Sequence, residues 1–122
     1  VAFQCCKDNS FVRNVLEKAS NPEAALAAKL ERSWMNFLGG GCRVPMAAFV
    51  NVLETQVEFF AYLANPNSSE FIREKNCWNR DSNLQENLKE FLTYFIAECN
   101  QRNIPLPRDV HEHALLHFWG KL

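Results

Sequence analysis

The sequence predicts an α+β domain: a three-stranded antiparallel sheet with helices packed on one face, in the chain order α-β-β-β-α. Two amphipathic helical patterns, one ending near residue 38 and one starting near residue 83, flank a central stretch rich in β-branched and aromatic residues. Short polar breaks divide that stretch into three segments, and short breaks favour antiparallel hairpins. With 122 residues, 48% of them hydrophobic and 22% charged, the chain can bury one core of this kind.

The first predicted helix is short. Ser10 precedes Phe11–Ala19, whose apolar residues share one helical face, so we expect Ser10 to cap a helix over that range. Upstream of it, Val1–Cys6 alternates loosely between apolar and polar residues and predicts a short strand.

A second, longer helix is predicted over about Pro22–Leu38. Asn21 is a favourable cap and Pro22 suits the first helical position. Glu23 lies in the first turn, where the helix dipole favours a negative charge. Gly39 is expected to end the helix, because glycine adopts the left-handed conformation that terminates helices.

Three strands should follow, over Arg43–Leu53, Gln56–Leu63 and Glu70–Trp78. The break at Glu54-Thr55 and the turn at Asn65–Ser69 would join them as hairpins. The aromatic residues of these strands and of the helices fall on the same stripes as the leucines, so they are predicted to be core residues rather than a stacking platform. They include Trp34, Phe37, Phe59, Phe60, Phe91 and Phe95.

The last strong helix is expected to open at Ser82-Asn83-Leu84-Gln85, which has the form of a capping box, and to run to about Asn100. After Gln101 the chain has two prolines and then a short helical pattern over Val110–Trp119.

Charge and hydropathy exclude several classes of protein. A net charge of -1 and a pI of about 6.3 argue against a general nucleic-acid binder. Double-stranded-RNA-binding domains share the predicted element order but need lysines at the start of the last helix, and here Asn83–Leu88 has no cation before Lys89. No apolar run approaches the length of a membrane span.

The cysteines fit a reducing cytosol. They are odd in number and lack CxxC spacing, which favours neither a disulfide framework nor a structural zinc site. Four of them are predicted to be buried or half-buried thiols: Cys5, Cys6, Cys77 and Cys99. The chain begins at Val1 within an apolar stretch and without methionine, so we expect it to be part of a longer protein.

Two further groups of polar residues are candidates for a metal site or for catalytic carboxylates. His113 and His117 are spaced to share a helical face, with His111 and Glu112 beside them, but nothing completes a metal site, so solvated histidines and no metal are predicted. No motif surrounds the aspartates, which are expected to be solvated or capping residues; they are Asp8, Asp81 and Asp109.

The segment between the second helix and the first strand reads Gly39-Gly40-Gly41-Cys42-Arg43-Val44-Pro45. Glycines let a ligand approach the main chain closely, so this segment can present the Cys42 thiol to a large group. The same residues are also typical of an ordinary glycine helix cap followed by a buried cysteine.

From Val1 to about Cys99 the chain resembles the C-terminal region of hydroxymethylbilane synthase, also called porphobilinogen deaminase. Leu38–Pro45 is similar to that family's Leu-Glu-Gly-Gly-Cys-x-Val-Pro, with Gly39 in place of the glutamate and Ala47 where glycine is common. Glu31-Arg32 matches a Glu-Arg on the family's long helix, for which we expect local pairing or an interdomain contact. The turn and strand that end in Phe71-Ile72-Arg73 match in order.

The resemblance implies that Cys42 is the thioether anchor of a dipyrromethane cofactor, with Gly40, Gly41 and Arg43 around it. The family condenses four porphobilinogen units into hydroxymethylbilane, in tetrapyrrole biosynthesis in the cytoplasm. Its general acid/base and its arginine-rich cleft belong to two preceding domains, so no catalytic residue is expected in this chain.

The implied organisation has three parts: residues 1–20 as a remnant packing against a preceding domain, 21–101 as the cofactor-anchoring domain, and 102–122 as an extension. The alternative is a non-catalytic interaction module that keeps the fold without the cofactor.

Overall fold

The computed structural model describes residues 2–39 and 44–107. Within them the chain forms three helices and three strands. They are α1 (Ser10–Ala19), α2 (Pro22–Leu38), β1 (Met46–Val52), β2 (Gln56–Ala64), β3 (Phe71–Asn79) and α3 (Leu84–Gln101). The strands form one open sheet in the order β1-β2-β3 with both pairs antiparallel, which confirms the predicted α+β class. The helical pattern at Val110–Trp119 lies outside the described residues.

The central strand β2 supplies one complete face of the core. Its alternate residues Val57, Phe59, Ala61 and Leu63 are all buried, because side chains of a strand alternate between the two faces of the sheet. The register places Val50 of β1 opposite Phe59. Helices α2 and α3 cover this face, and the sheet thereby gains the second layer that a lone three-stranded sheet lacks.

Trp34 of α2 is the centre of the core and is 0% exposed. Its ring centroid lies 5.1 Å from that of Phe59, 5.3 Å from Phe91 and 5.0 Å from Phe95. One side chain therefore joins α2 to β2 and to α3, and aromatic pairs at these distances are stabilising beyond their buried area. The predicted core role of the helical aromatics and of Phe59 is confirmed.

Phe60 departs from that prediction, since it lies half-buried on the opposite, uncovered face of the sheet. Its ring contacts that of Phe49, which is 59% exposed, at 5.9 Å. The Lys75 ammonium lies 5.0 Å from the centre of the Phe60 ring and donates to Glu58 at 2.6 Å. The prediction for Phe60 was wrong because Phe59 and Phe60 are consecutive in β2, and consecutive side chains of a strand point to opposite faces of the sheet.

The helix caps are shifted by one residue from their predicted positions at two helices. Asn9, not Ser10, caps α1, and its Oδ1 accepts from a first-turn amide at 3.1 Å. Asn83, not Ser82, caps α3 in the same way at 3.2 Å. In each case an asparagine next to the serine caps the helix, and Ser82 instead donates to a carbonyl of the preceding turn at 2.6 Å. Asn21 caps α2 as predicted.

Two predicted strand ranges need correction. Residues 2–6 form no strand, because no strand of the described chain lies beside them to pair with. Strand β1 begins at Met46, so Val44-Pro45 precede it, which is consistent with proline lacking the N–H that a ladder requires. The second and third strands agree with prediction to within one residue at each end.

Helix α1 contributes no buried residue to the core. Its apolar side is exposed, with Phe11 77% exposed and Val15 half exposed, and Phe3 lies exposed before it. At the other end of the chain, Ile104 is buried in the core beyond the end of α3. The three-part division at residues 20 and 101 remains a prediction.

Replacing Trp34 by alanine should lower the free energy of unfolding by about 3–5 kcal/mol, because it empties a fully buried site between three elements. Urea unfolding followed by circular dichroism measures this. Trp34→Phe should cost clearly less, since the Trp34 Nε1 hydrogen has no hydrogen-bond partner among the described residues. Phe49→Ala on the uncovered face is the control, with an expected loss of about 1 kcal/mol or less, because the side chain is 59% exposed and its cross-strand pair with Phe60 contributes little. Equal losses for Trp34→Ala and Phe49→Ala would contradict the assignment.

Candidate functional site

The predicted site lies at the junction between α2 and β1, which we call the α2–β1 junction, residues 39–45. On the helix side, Gly39 adopts the left-handed conformation with φ 75° and ψ 30°, and its N–H donates to the Asn36 carbonyl at 3.3 Å. Only glycine takes this conformation without strain, so the predicted helix end is confirmed. The predicted cofactor-binding residues lie outside the described residues, and their roles stay predictions. They are Gly40, Gly41, Cys42 and Arg43.

On the strand side, the sheet holds the junction. The Pro45 carbonyl accepts from the Ala64 amide at 2.9 Å, which extends the β1–β2 ladder by one bond. Val44 packs partly against the core, and its carbonyl accepts from Met46 at 2.8 Å. Both ends of the junction are therefore fixed by backbone hydrogen bonds, while Gly39 and Pro45 themselves are exposed.

Glu31 links the two elements that enter and leave the junction. Its Oε1 accepts from the Val50 amide of β1 at 2.8 Å, in partly buried surroundings. This partner is a backbone amide of an edge strand rather than a neighbouring charge, and the expected interdomain contact stays a prediction. Sequence reasoning missed this contact because a backbone amide leaves no signature in the residue pattern.

A second link joins the start of α2 to the far end of the sheet. Arg80 donates through Nη1 to Glu23 Oε1 at 2.9 Å and to the Leu53 carbonyl at 3.2 Å. Helix α2 and strand β1 thus run as the two arms of a hairpin. Hydrogen bonds connect the arms in the middle and at the open end, and the glycine-rich junction closes the other end.

The four described cysteines are free thiols in different surroundings. Cys99 is buried in the core, and this burial raises its pKa to about 11. Cys5 is half-buried as predicted, whereas Cys6 and Cys77 are exposed, which corrects the prediction of burial. Cys77 lies on the uncovered face of the sheet, where its S–H donates to Gln56 Oε1 at 3.4 Å.

The other candidate sites are tested only where the structure describes them. Within residues 2–39 and 44–107, no group of three or more His, Cys, Asp or Glu side chains could hold a metal ion. The histidine motif and Asp109 lie outside these ranges, while Asp8 and Asp81 are exposed, as predicted for solvated residues. None of the helices in the described part of the chain is both long enough and apolar enough to cross a bilayer.

Fold and junction together define a small α+β domain in which a glycine-rich segment with one cysteine follows a long helix and precedes the first strand. Comparison with known families assigns this domain to a family. The family described as "Porphobilinogen deaminase, C-terminal domain" matches residues 25–90, more than half of the chain, and the chain belongs to this family. The matched range contains all of α2 except its first three residues, the α2–β1 junction and the whole sheet.

Individual relatives agree with the family match. Porphobilinogen deaminase of Limosilactobacillus reuteri is 30% identical over 74 residues, which cover 61% of this chain and 24% of the relative. The Geobacillus kaustophilus enzyme of the same name gives the same values. A probable porphobilinogen deaminase of Hyperthermus butylicus is 37% identical over 60 residues, 49% of this chain and 20% of the relative. The chain spans about a quarter of the length of the curated relatives it matches.

The thiol surroundings predict a fixed order of alkylation. At pH 8 iodoacetamide should modify Cys6 and Cys77, because both are exposed, and should leave Cys99 unmodified. A pKa of about 11 keeps the Cys99 thiol protonated until the pH rises through that value, and burial excludes the reagent. Peptide mass spectrometry after timed quenching measures each site. In urea all three should react alike; rapid modification of Cys99 in the folded chain would contradict the described core.

Proposed function

We propose that this chain is the C-terminal part of a hydroxymethylbilane synthase and carries the dipyrromethane cofactor as a thioether on Cys42. The observation that carries the proposal is that the family match at residues 25–90 includes the whole α2–β1 junction. In that range the chain has Gly40-Gly41-Cys42-Arg43-Val44-Pro45, which is similar to the family's Gly-Gly-Cys-x-Val-Pro. The full protein would be a transferase that joins four porphobilinogen units in tetrapyrrole biosynthesis.

The described ends of the junction fit a bulky covalent group. Gly39 and Pro45, the two described residues nearest the ends of the junction, are both exposed. Gly40 and Gly41 have no side chain to obstruct a ring system lying against the main chain. A soft cysteine sulfur forms a carbon–sulfur bond that water does not cleave, which suits a group that is kept through many turnovers.

The position of Cys42 after the C-terminus of α2 also suits a residue that is modified once. The carbonyl end of a helix carries partial negative charge and disfavours a thiolate, whereas cysteines that react at every turnover sit beside cations or helix N-termini. Arg43 offsets part of this effect. Cys42 would thus hold the cofactor, and Gly40, Gly41 and Arg43 would surround it.

Binding of the acidic substrate is assigned to the remainder of the protein. Porphobilinogen and the growing polypyrrole carry acetate and propionate groups, which require unpaired cations. Three of the five arginines of the described chain are paired with carboxylates, and the other two, Arg32 on α2 and Arg73 on β3, are exposed and lie on different elements. The pairs are Arg13–Glu17, Arg80–Glu23 and Arg102–Glu98. This distribution supports a carrier domain whose catalytic groups come from preceding domains.

The exposed apolar side of α1 supports contact with those preceding domains. Phe3, Phe11 and Val15 are exposed in the described chain, and a groove of about 510 Å³ runs between the N-terminal segment and the alanine-rich start of α2. Exposed apolar surface of this kind marks an interface. Residues 1–20 would be covered by the N-terminal domains of the same protein. The free cysteines favour a reducing compartment, for which we propose the cytoplasm.

Peptide mass spectrometry of the protein isolated from the cells that make it tests the cofactor directly. The peptide that contains Cys42 should carry the added mass of two linked pyrrole units, because the intact protein assembles its own cofactor. The peptide that contains Cys77 is the matched control and should be unmodified. A Cys42 peptide found only as the free thiol would contradict the proposal and favour the alternative, a non-catalytic interaction module with the same fold.

The 122-residue chain alone should not consume porphobilinogen, since the expected acid/base group and the arginine-rich cleft lie outside it. The assay follows loss of porphobilinogen over time, with the Geobacillus kaustophilus enzyme as the positive control. Steady consumption by the isolated chain that persists in a Cys42→Ser variant would contradict both the carrier role and the anchor.

A further inference from the structure

We propose that the outer edge of β3 binds an extended basic segment of another polypeptide, which adds to the sheet as a fourth strand. Two features carry the inference: main-chain groups of β3 that face away from the sheet, and an acidic, aromatic groove beside them. The groove lies between β3 and α3, and we call it the β3–α3 groove. The inference goes beyond the proposed function, because it involves neither Cys42 nor a cofactor.

The ladder between β2 and β3 determines which main-chain groups of β3 face outward. Just before the strand, the Asn65 amide donates to the Glu70 carbonyl at 2.8 Å, and just after it the Arg80 amide donates to the Thr55 carbonyl at 2.9 Å. In an antiparallel pair the bonded residues alternate along the strand, so the even-numbered residues of β3 face β2. The odd-numbered residues therefore direct their N–H and C=O groups away from the sheet.

Three successive outward amides of β3 are open to a new partner. They belong to Phe71, Arg73 and Lys75, and none has an acceptor within residues 2–39 and 44–107. With a rise of about 3.3 Å per residue these groups extend over about 13 Å, which suffices for a short strand to pair. The other edge differs, because α2 packs beside β1 and Glu31 accepts from the Val50 amide at 2.8 Å. Strand addition is therefore favoured at β3.

The β3–α3 groove has a volume of about 540 Å³ and contains two carboxylates. Glu74 comes from β3 and Glu90 from α3, and neither has an ion-pair partner among the residues that the structure describes. Tyr94 lines the groove and stacks on Phe91, with ring centroids 6.4 Å apart and planes inclined by 16°. Partial burial raises the pKa of Tyr94, and the Glu74 and Glu98 carboxylates raise it further. Negative charge beside aromatic surface is suited to lysine and arginine side chains.

The two faces of β3 differ in charge, and this difference determines the kind of strand that fits. Glu74 points to the helix side, whereas Arg73 and Lys75 point to the uncovered side. Lys75 is already paired with Glu58 at 2.6 Å. A residue of an added antiparallel strand directly opposite Glu74 has its Cβ atom about 4.5–5.5 Å away, so a lysine there is attracted to the carboxylate. The fitting strand carries lysine or arginine at alternate positions on the helix side and uncharged residues on the other.

A second copy of this chain is a poorer occupant of the same edge. Antiparallel self-pairing centred on residue 73, 74 or 75 places two Arg73, an Arg73 and a Lys75, or two Lys75 side chains opposite each other. Like charges directly opposite one another are destabilising, and cations on an edge strand commonly prevent this kind of pairing. The charges of β3 thus disfavour its own sequence and leave the edge to a different strand.

The test titrates the peptide acetyl-Thr-Lys-Thr-Lys-Thr-Lys-Thr-amide into the 122-residue chain at low ionic strength and follows the backbone amides by NMR. The expected dissociation constant is about 1 mM or tighter. The amides of Phe71, Arg73 and Lys75 should gain protection from exchange, because each acquires an acceptor. The matched peptide with glutamate in place of lysine should bind at least about fivefold more weakly.

Charge and strand pairing are separated by one pair of variants and one modified peptide. Glu74→Gln should weaken binding of the lysine peptide about threefold or more, while Glu54→Gln, an exposed carboxylate between β1 and β2, should stay within about 1.5-fold. Both replacements keep the side-chain shape, and circular dichroism verifies that each variant is folded. N-methylation of the threonine amides, which face β3 when the lysines face the groove, should weaken binding about tenfold without altering any charge.

Equal binding of the lysine and glutamate peptides overturns the inference, as does unchanged binding after Glu74→Gln or after N-methylation, or no binding at about 1 mM peptide. A chain that sediments as a dimer, with the Phe71 and Lys75 amides protected before peptide is added, would identify a second copy as the occupant and also overturn it. None of these measurements depends on the state of Cys42. A native protein without dipyrromethane would therefore contradict the proposed function and leave the β3 result standing.

Discussion

The contact of Trp34 with Phe59, Phe91 and Phe95 is the interaction on which the remaining structure depends. A sheet of three strands cannot bury both faces, and each helix alone has only one apolar stripe. A single fully buried indole brings the middle strand and the two long helices into one core. Because Trp34 lies five residues before Gly39, the same contact also fixes where α2 ends over the sheet.

Apolar packing defines the distance between α2 and the sheet better than it defines the orientation of α2 on the sheet. Packed side chains resist separation strongly, but hydrophobic attraction is not directional. Directional bonds at the outer edge of β1 supply what packing lacks. The Glu31–Val50 bond fixes the middle of the helix, and Arg80 joins the helix start to the Leu53 carbonyl. In this domain the core maintains the fold, and a few polar contacts orient α2 relative to β1.

Periodicity and turn residues were sufficient to predict the α+β class, the strand order and the end of α2, because these follow from local preferences that the core does not oppose. The capping asparagines were misplaced by one residue because Asn9 and Asn83 adjoin serines that cap nearly as well. Contacts between distant residues were beyond prediction. The Glu31 bond joins residues 19 apart through a backbone amide, and the exposure of Cys77 depends on which face of β3 meets the helices.

The same physical reasoning separates the cysteines by role. Cys99 is excluded as an anchor, because burial raises its pKa to about 11 and the core has no room for a second group. Cys77 is accessible, but it projects from the middle of a strand, where neighbouring side chains flank it on the sheet surface. Cys42 differs from both in being preceded by glycines and lying between two exposed, hydrogen-bonded ends. A thiol that must hold a large group permanently needs open space around it, which Cys99 lacks in the core, and under the proposed function Cys42 is the cysteine that holds the group.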